Sequence, residues 1–377
     1  MGKAASALIL AVVLLLALGI VVLASTSSVR GAASFDDPGY FLKRQAVWVA
    51  IALLAGVLLS RFDYHLWQRF AVPLTAVALL FLVMVLIPGI GTRIGGARRW
   101  IRMGPFSLQP SEFAKYAMIV AVAAWMTHVG RRAALLREGL LYPIGIVGAF
   151  AGLTILEPDF GTTLLTGVVG MAIMFAGGTR LSHLVVTGAL GMSAFLVAIM
   201  QDDVRMGRVL AFLMPEKYPV TAYHLAQSKV AFIRGGLFGV GLGNSLQKQF
   251  YLPEAHTDFI FAIIGEELGL IVTLLVVVLY GVILYSGIWI SMHAADAFGR
   301  LLGFGVTMMV SLQAAINIGV VTGCLPTKGL PLPLISYGGS SLLVSVACVA
   351  TLLNIAHHGA AGGDTHTRII RDHAHRF

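Results

Sequence analysis

The stretch PEAHTDFIFAIIGEELGLIVTLLVVVLYGVILY, residues 253–285, joins a cluster of ionisable side chains to a long apolar run. From 259 to 289 the only charged residues are Glu266 and Glu267, and a run of this length can cross a bilayer as a helix. Ionisable groups at the edge of such a run are candidates for chemistry, because the membrane interior penalises charge. The stretch therefore predicts a membrane-spanning helix with a functional site at its start.

The composition of the whole chain indicates the same fold class. Of the 377 residues, 58% are hydrophobic and only 11% are charged, and the mean hydropathy is +0.88. A soluble protein of this length could not bury so much apolar surface in its core. We therefore predict an all-α polytopic membrane protein.

Apolar runs separated by charged residues predict about ten membrane spans. Residues 1–357 then form one membrane domain, in which the loop 201–257 between spans seven and eight is much the longest. Arginines in the short connections lie on the side of Lys3, which predicts that both termini are cytoplasmic and that the long loop is extracytoplasmic. Residues 358–377 are predicted to form a disordered cytoplasmic tail. The ten runs are residues 6–25, 45–60, 70–89, 110–127, 140–156, 161–178, 181–200, 259–289, 302–323 and 335–357.

The sequence argues against several other kinds of site. Cys324 and Cys348 lie in or beside apolar runs, so neither a disulfide framework nor a thiolate metal site is indicated. The glycines within 235–243 are not followed by the lysine and helix start of a phosphate-binding loop, which argues against a nucleotide cofactor. Basic residues are dispersed among the loops, so nucleic acid is not an expected partner. The run 3–30 is longer than a signal-peptide core and predicts a retained first helix.

The predicted outer face is unexpectedly basic. More than half of the 26 lysine and arginine residues fall there or just inside the membrane, including Arg205, Arg208 and Lys328. Positive charge beside a low-dielectric membrane requires compensation. The anionic headgroup of a bound substrate would supply it, and attraction to acidic membrane lipids is the alternative interpretation.

Asp258 opens the eighth span and is the strongest candidate for a catalytic group. At a helix N-terminus, the dipole and the free amide groups favour an ionised carboxylate, which can accept a proton. The alternative is that Asp258 or Thr257 only caps the helix. The neighbouring His256 and Glu254 favour a functional site over a cap.

Two further acids, Glu266 and Glu267, follow on the same helix. They lie roughly 12 Å deeper than Asp258, too far to act with it. Acids at that depth are paired or protonated, so a structural ion pair or a helix-positioning hydrogen bond is the preferred interpretation. Glu267 is accordingly predicted to support the site rather than to react.

The segment GARRWIRMGPFSLQPSEFAKY, residues 96–116, leads into the fourth span. Glu112 and Lys115 stand three residues apart on one face of that helix, and Lys115 is predicted to point toward the group that neutralises it. Arginine side chains bind phosphate well, and tryptophan is typical of membrane interfaces. Arg99 and Trp100 therefore indicate either a wall that faces a diphosphate or an interface anchor.

The motif EPDFGTT, residues 157–163, places two carboxylates at the outer end of the fifth span. Glu157 or Asp159 is predicted to pair with Lys115 or with an arginine. The alternative is that the two carboxylates hold a divalent cation, for which they are a minimal set of ligands.

The run CLPTKGLPLPLISYGGSSLL, residues 324–343, is rich in proline and glycine between the last two spans. Irregular backbone at membrane depth is tolerated only against protein or a cavity. We therefore predict a re-entrant segment that lines a groove around Lys328, with the hydroxyl groups of Ser336 and Tyr337 available to a polar headgroup.

Five blocks of the chain, in order, resemble the SEDS family of shape, elongation, division and sporulation proteins, of the FtsW and RodA type. The resemblance covers almost the whole chain apart from the C-terminal tail. PTKG at 326–329 and IGEELG at 264–269 are more similar to the cell-division branch than to the elongation branch. The blocks are STSS at 25–28, GARRWIRMGPFSLQPSEFAK at 96–115, EPDFGTTL at 157–164, YLPEAHTDFIFAIIGEELG at 251–269 and PTKGLPLPLISYGGSS at 326–341.

The resemblance implies the SEDS fold and a peptidoglycan glycosyltransferase that polymerises lipid II on the outer face of the bacterial cytoplasmic (inner) membrane. It also implies a class B penicillin-binding protein, a monofunctional transpeptidase, as partner, within the division or elongation machinery. The family's essential acid falls on Asp258, its basic and tryptophan motif on Arg99 and Trp100, and its salt-bridging lysine and acids on Lys115, Glu112 and Asp159.

The residues agree with this chemistry. Joining sugars requires a base for the acceptor hydroxyl, which Asp258 would supply, while undecaprenyl diphosphate leaves from the donor. Arg99, Lys115 and the loop arginines, and a Mg²⁺ or Mn²⁺ ion if one binds, would compensate the charge of the leaving diphosphate, so no second acid is required. Two alternatives remain: a lipid II flippase, and a non-catalytic scaffold for the transpeptidase.

Overall fold

The computed structural model describes residues 2–94, 96–104 and 106–374 and shows a bundle of long helices. We number the helices in chain order. They are α1 (Gly2–Phe35), α2 (Tyr40–Arg61), α3 (His65–Arg69), α4 (Ala71–Leu86), α5 (Pro110–Val129), α6 (Tyr142–Leu156), α7 (Phe160–Ala176), α8 (Leu181–Met200), α9 (Asp203–Leu213), α10 (Pro219–Gly235), α11 (Ile260–Met292), α12 (Ala297–Val321) and α13 (Gly339–Ala374).

Within the described chain, 8 helices are long and apolar enough to cross a membrane. They are α1, α2, α5, α6, α8, α11, α12 and α13, where α5 and α6 are counted with their adjoining short turns. The predicted polytopic helical fold is thus confirmed. The predicted number of ten spans requires the shorter apolar helices α4 and α7 to cross as well, and that number stays a prediction.

The predicted boundary after residue 357 does not coincide with the end of a helix, since α13 is described to Ala374. Residues 375–377 of the predicted tail lie outside the described residues. The assignment of 358–377 to a disordered cytoplasmic tail stays a prediction.

Helix α5 lies at the centre of the bundle. Every residue from 117 to 123 is buried, as expected of a helix that is apolar on all sides. Gly305 allows α12 to lie close to α5, because a β-carbon at this position would lie 2.6 Å from Ile119. This packing carries the polar first turns of α5 into the protein interior.

One end of the bundle collects most of the predicted site residues. The first turns of α5, α11 and α13 and the α6–α7 turn all lie there, around Asp258. We call this end the Asp258 face.

A small antiparallel sheet, which the sequence did not predict, lies at the Asp258 face between α4 and α5. Its strands are β1 (Gly91–Ile94), β2 (Ala97–Met103) and β3 (Phe106–Leu108), in the order β1-β2-β3. Thr92 pairs with Trp100, and Arg102 pairs with Ser107. Because side chains alternate along a strand, the sheet directs Arg99 and Trp100 to opposite faces.

The predicted long loop contains α9, α10 and a short π-helical turn, Gln247–Tyr251. The glycine-rich stretch after α10 packs against α11 where that helix is interrupted by Gly269, whose φ of 78° and ψ of −175° are not helical. The Val240 amide donates to the Glu266 carbonyl at 2.9 Å, and the Leu270 amide donates to the Gly236 carbonyl at 2.9 Å. These glycines therefore allow close approach of two backbones.

The segment between α12 and α13 enters the bundle without helical structure, in agreement with the prediction for 324–343. The Tyr280 hydroxyl donates to the Pro333 carbonyl, and a β-carbon on Gly19 of α1 would lie 2.9 Å from the Ile335 Cα. The Asn317 amide donates to the Leu330 carbonyl at 2.7 Å. Irregular backbone is thus satisfied by α11 and α12.

Candidate active site

Asp258 lies in the turn just before α11, and its side chain is half-buried. The N-cap residue of α11 is Phe259, and no side chain caps the helix. The alternative that Asp258 or Thr257 serves as the cap is therefore wrong. The carboxylate lies beside Gly329 of the re-entrant segment, where a β-carbon would come within 2.7 Å of Oδ2.

Three polar contacts hold the backbone around Asp258. The Asn317 amide donates to the Asp258 carbonyl at 2.8 Å. The Ser336 hydroxyl donates to the Thr257 carbonyl at 2.6 Å, and the Tyr337 amide donates to the His256 carbonyl at 3.1 Å. Asp258 is thus attached to α12 and to the re-entrant segment through main-chain atoms, which leaves its carboxylate available.

These contacts correct the prediction for Ser336. Its hydroxyl also accepts from the Leu332 amide at 2.8 Å, so it ties two backbone segments together and is not free for a headgroup. The ring of Tyr337 packs edge-on against Phe41, with 5.2 Å between centroids. A headgroup contact for the Tyr337 hydroxyl stays a prediction.

The environment raises the pKa of Asp258 to about 7. Burial is the largest cause; the neighbouring Glu254 and Asp159 also raise it, and Arg99 and Arg208 oppose them. A carboxyl group with this pKa is partly ionised near neutral pH and is a stronger base than an ordinary aspartate.

The predicted supporting residues have different roles. His256 is buried, and burial with Arg30 nearby lowers its pKa to about 4, so its ring is neutral at physiological pH. Its ring packs 5.1 Å from the ring of Phe41. Glu254 accepts from the Thr257 hydroxyl at 3.2 Å and from Arg30 at 3.4 Å. His256 is therefore a packing residue, and Glu254 acts on Asp258 through its charge.

Two of the predicted arginines converge on the α6–α7 turn. Arg99 donates to the Glu157 carbonyl at 3.1 Å and to the Pro158 carbonyl. Arg205 donates to the same Pro158 carbonyl at 3.2 Å. Its guanidinium lies 4.0 Å from the ring centroid of Phe160. Backbone carbonyls and an aromatic ring thus hold both guanidinium groups at the edge of the site.

Arg208 and Lys328 complete the positive charge around Asp258. Arg208 lowers the pKa of Asp258 through space. Lys328 lies 5.2 Å from the Phe195 ring centroid; burial lowers its pKa, and Asp159 partly offsets that effect. The site therefore places the weakly acidic Asp258 carboxyl group among several cations, an arrangement suited to an anionic ligand.

Glu157 has an unusual environment in the α6–α7 turn. Both of its carboxylate oxygens are buried and accept no hydrogen bond from the residues that the structure describes. Burial, together with Asp159, raises its pKa to about 8, against the effect of Arg99. Asp159 itself caps α7 by accepting from the Thr162 amide at 3.2 Å.

Of the two partners predicted for Glu157 or Asp159, Lys115 is wrong, and an arginine stays a prediction. Lys115 is fully buried and donates to Glu112 at 2.9 Å and to Gln313 at 2.7 Å. The ion pair with Glu112 follows from the spacing of three residues, but it points the lysine into the α5–α12 interface. The predicted contact of Lys115 with a diphosphate is therefore not supported by its position.

The two acids of the α6–α7 turn fit a divalent cation. Glu157 has unsatisfied oxygens, Asp159 is close enough to raise its pKa, and carboxylates are the ligands that Mg²⁺ prefers. Across the described ranges, no group of three or more His, Cys, Asp or Glu side chains is arranged to hold a metal. A cation here would complete its coordination with water or substrate oxygens.

Sequence reasoning missed two amides on α12. Gln313 donates to the Pro331 carbonyl at 2.9 Å while accepting from Lys115, and Asn317 links the Asp258 and Leu330 carbonyls. Their spacing of four residues on one face of an otherwise apolar helix is the signal that identifies them.

Comparison with known proteins agrees with this geometry. The family model of FtsW, RodA and SpoVE, described as "Cell cycle protein", matches residues 6–361. The chain belongs to this FtsW/RodA/SpoVE family. The match includes every helix and strand that contributes to the Asp258 face.

Similar FtsW/RodA/SpoVE proteins align over nearly their full length. The "Probable peptidoglycan glycosyltransferase FtsW" of Trichlorobacter lovleyi is 44% identical over 350 residues, which cover 93% of this chain and 92% of the relative. "Stage V sporulation protein E" of Bacillus subtilis is 39% identical and covers 93% and 96%, respectively.

Solved structures share the fold. A chain in a structure described as "Structural coordination of polymerization and crosslinking by a peptidoglycan synthase complex" has a TM-score of 0.76 and 28% identity, and the match covers 93% of this chain and 97% of that one. The rod shape determining protein RodA of Thermus thermophilus has a TM-score of 0.68 and 27% identity, with coverage of 93% and 95%.

Proposed function

We propose that this FtsW/RodA/SpoVE protein is a peptidoglycan glycosyltransferase that polymerises lipid II during cell division or elongation, with Asp258 as general base. The observation that carries the proposal is the half-buried Asp258 carboxylate, which does not cap α11 and has a pKa of about 7. The glycosyltransferase name of similar relatives supports the reaction class.

The proposed reaction forms one bond and breaks one. The Asp258 carboxylate takes the proton of the acceptor sugar hydroxyl as its oxygen attacks the anomeric carbon of the donor. The bond from that carbon to undecaprenyl diphosphate breaks, and the leaving diphosphate takes the electron pair. Attack opposite the leaving group inverts the anomeric carbon. Arg99, Arg205, Arg208 and Lys328 supply positive charge for the diphosphate.

We also propose that Glu157 and Asp159 hold a divalent cation. Such a cation would supply further charge compensation for the diphosphate. The support is the buried, unpaired Glu157 carboxyl group with its raised pKa. Binding would displace its proton, so cation affinity should rise as the pH approaches about 8.

Titration of Mg²⁺ or Mn²⁺ tests the cation site. In the Glu157→Gln protein we expect a tenfold or greater increase in the concentration that gives half-maximal polymerisation, since one of two charged ligands is lost. The exposed Glu216→Gln is the matched control. If Glu157→Gln needs the same cation concentration for half-maximal polymerisation, the cation does not bind at this turn.

Orientation and partner belong to the same proposal. The Asp258 face is proposed to lie on the extracytoplasmic side, with both termini in the cytoplasm, because short connections at the opposite end carry Arg131, Arg132 and Arg180. The similar chain from a peptidoglycan synthase complex supports a class B penicillin-binding protein as the partner transpeptidase.

Gel-resolved polymerisation of purified lipid II tests the function. The protein with its transpeptidase is expected to make glycan strands, and Asp258→Asn is expected to make none at equal expression and complex formation. Asp36→Asn is the matched control, because Asp36 is exposed and its positive φ suits asparagine. Equal polymer from Asp258→Asn would favour the scaffold, and lipid II translocation without polymer would favour the flippase.

A further inference from the structure

The segment that carries Asp258 begins and ends at one buried polar cluster. Lys248 precedes the segment in the π-helical turn, and Glu267 follows it in α11. The Lys248 Nζ lies 3.0 Å from the Glu267 Oε1, with side-chain exposures of 5% and 0%. The ion pair therefore joins the two ends of segment 249–266, which includes the first turns of α11, and we call this segment the loop. We call the ion pair the Lys248–Glu267 clamp.

Helix α1 joins the clamp through a single hydroxyl. The Ser25 hydroxyl lies 2.8 Å from the Glu267 Oε1, and the Lys248 ammonium donates to Ser25 at 2.9 Å. The three side chains therefore form a closed triangle among α1, the π-helical turn and α11.

Glu266 reinforces the same base. Its carboxylate accepts from Arg234 at 2.9 Å and from the amides of Leu246 and Gln247 at 3.1 and 3.3 Å. The Ser245 hydroxyl also donates to it. Two buried acids are thus matched by two cations, and removing one partner would leave an uncompensated charge.

The upper part of the loop is held separately. Asn317, Ser336 and Tyr337 bind the carbonyls of Asp258, Thr257 and His256, respectively. None of these contacts touches the Asp258 carboxylate, so its place relative to the surrounding cations depends on the course of the backbone. That course is set from both ends, by the contacts near Asp258 and by the clamp.

We propose that Lys248 and Glu267 are positioning residues for Asp258, which hold the base at its working distance from the acceptor hydroxyl and the diphosphate-binding cations. The proposal rests on the proposed function. A general base must lie within hydrogen-bond reach of its proton, and a displacement of about 1 Å can reduce turnover about a hundredfold. Loss of the clamp should therefore reduce kcat more than it changes KM.

Steady-state polymerisation by the purified complex with its transpeptidase tests this. Lys248→Met and Glu267→Gln are expected to lower kcat on the order of tenfold to a hundredfold, while KM for lipid II changes by less than about threefold. Lys248→Arg keeps the charge and should retain most of the activity. Lys43→Met is the matched control, since it removes an exposed ion pair with Asp37.

Hydrogen–deuterium exchange supplies a readout that does not depend on activity. The amides of 249–259 are expected to exchange faster in Lys248→Met, while those of α5 and α12 stay unchanged. Wild-type kcat and exchange in a folded Lys248→Met complex would overturn the proposal. Faster exchange throughout the protein's core, including α5 and α12, would also overturn it, because a general loosening assigns the pair a purely structural role.

Two further outcomes can be distinguished: a variant that does not fold, and a failure of the proposed base. If Lys248→Met does not fold, Glu267→Gln removes the charge of the clamp while keeping the shape of the side chain, and wild-type kcat together with wild-type exchange at 249–259 in that variant would then overturn the proposal. If Asp258→Asn polymerises lipid II normally, the proposed base is wrong. Faster exchange of 249–259 in the clamp variants would still support the positioning of this loop, and unchanged exchange would overturn it.

Discussion

A β-carbon on Gly329 would lie 2.7 Å from Oδ2 of Asp258. The re-entrant segment thus touches the proposed base with its main chain, and it can do so only where the side chain is a hydrogen atom. The same segment holds Lys328, whose charge would face the leaving diphosphate. One short piece of irregular backbone therefore both contacts Asp258 and carries Lys328.

The first prediction concerns that contact. Gly329→Ala should move the Asp258 carboxylate or the re-entrant segment and lower polymerisation turnover about tenfold to a hundredfold. Gly338→Ala is the matched control, because its β-carbon would meet only an ordinary contact, 3.8 Å from Ser341. Polymerisation rates at saturating lipid II measure the difference, and equal rates for both variants would contradict the contact.

The second prediction is a pH profile. A base must be deprotonated, and the pKa of Asp258 is raised to about 7. We therefore expect kcat/KM to fall tenfold per pH unit below about 7 and to level off above it. Glu254→Gln removes a neighbouring negative charge that raises this pKa, so its acid limb should move to lower pH. An acid limb near pH 4 in the native protein would contradict the raised pKa of Asp258, because an ordinary aspartate titrates there.

The third prediction concerns stability. A carboxyl group whose pKa is higher in the folded protein than in the unfolded chain contributes stability at low pH, and this contribution is lost as the pH rises through the folded value. Asp258→Asn should therefore raise the melting temperature most above pH 7, and the gain should shrink between about 7 and the ordinary value of 3.8. Thermal unfolding of both proteins across this range is the measurement. A gain that grows toward acid would contradict it.

The fourth prediction concerns the buried pair on α5. Lys115→Met leaves Glu112 buried without its cation, which should cost about 3–5 kcal/mol of folding free energy. The double variant Glu112→Gln/Lys115→Met should recover part of that loss, since no unpaired charge remains. Denaturant unfolding in detergent compares the two, with the exposed Lys217→Met as control. A double variant as unstable as the single one would mean that packing, not charge, dominates.

Hydropathy alone located most of the helices. The run predicted at 110–127 corresponds to Pro110–Val129, and the run at 181–200 to Leu181–Met200. These elements follow from local patterns of apolar residues, which the membrane selects by length. The small sheet was missed because its strands are short, rich in arginine and set by pairing rather than by an apolar period.

The candidate site was only partly predictable. Asp258 was identified because its charge and its place at the start of an apolar run are local properties. The partners of Lys115 and Ser336 were not, since Gln313 lies 198 residues from Lys115 and Thr257 lies 79 residues from Ser336. No local period encodes contacts of that kind, and a buried cation is satisfied by whichever acceptor the helix packing brings near.

The interruption of α11 at Gly269 has a consequence for motion. An interrupted helix can bend at the interruption. Here, however, the amides of Val240 and Gly241 donate hydrogen bonds to the carbonyls of Glu266 and Glu267. The glycine-rich stretch thus bridges the break through backbone hydrogen bonds, which join the end of α10 directly to the first turns of α11. A displacement of α10 would therefore be expected to shift the first turns of α11, which directly follow Asp258.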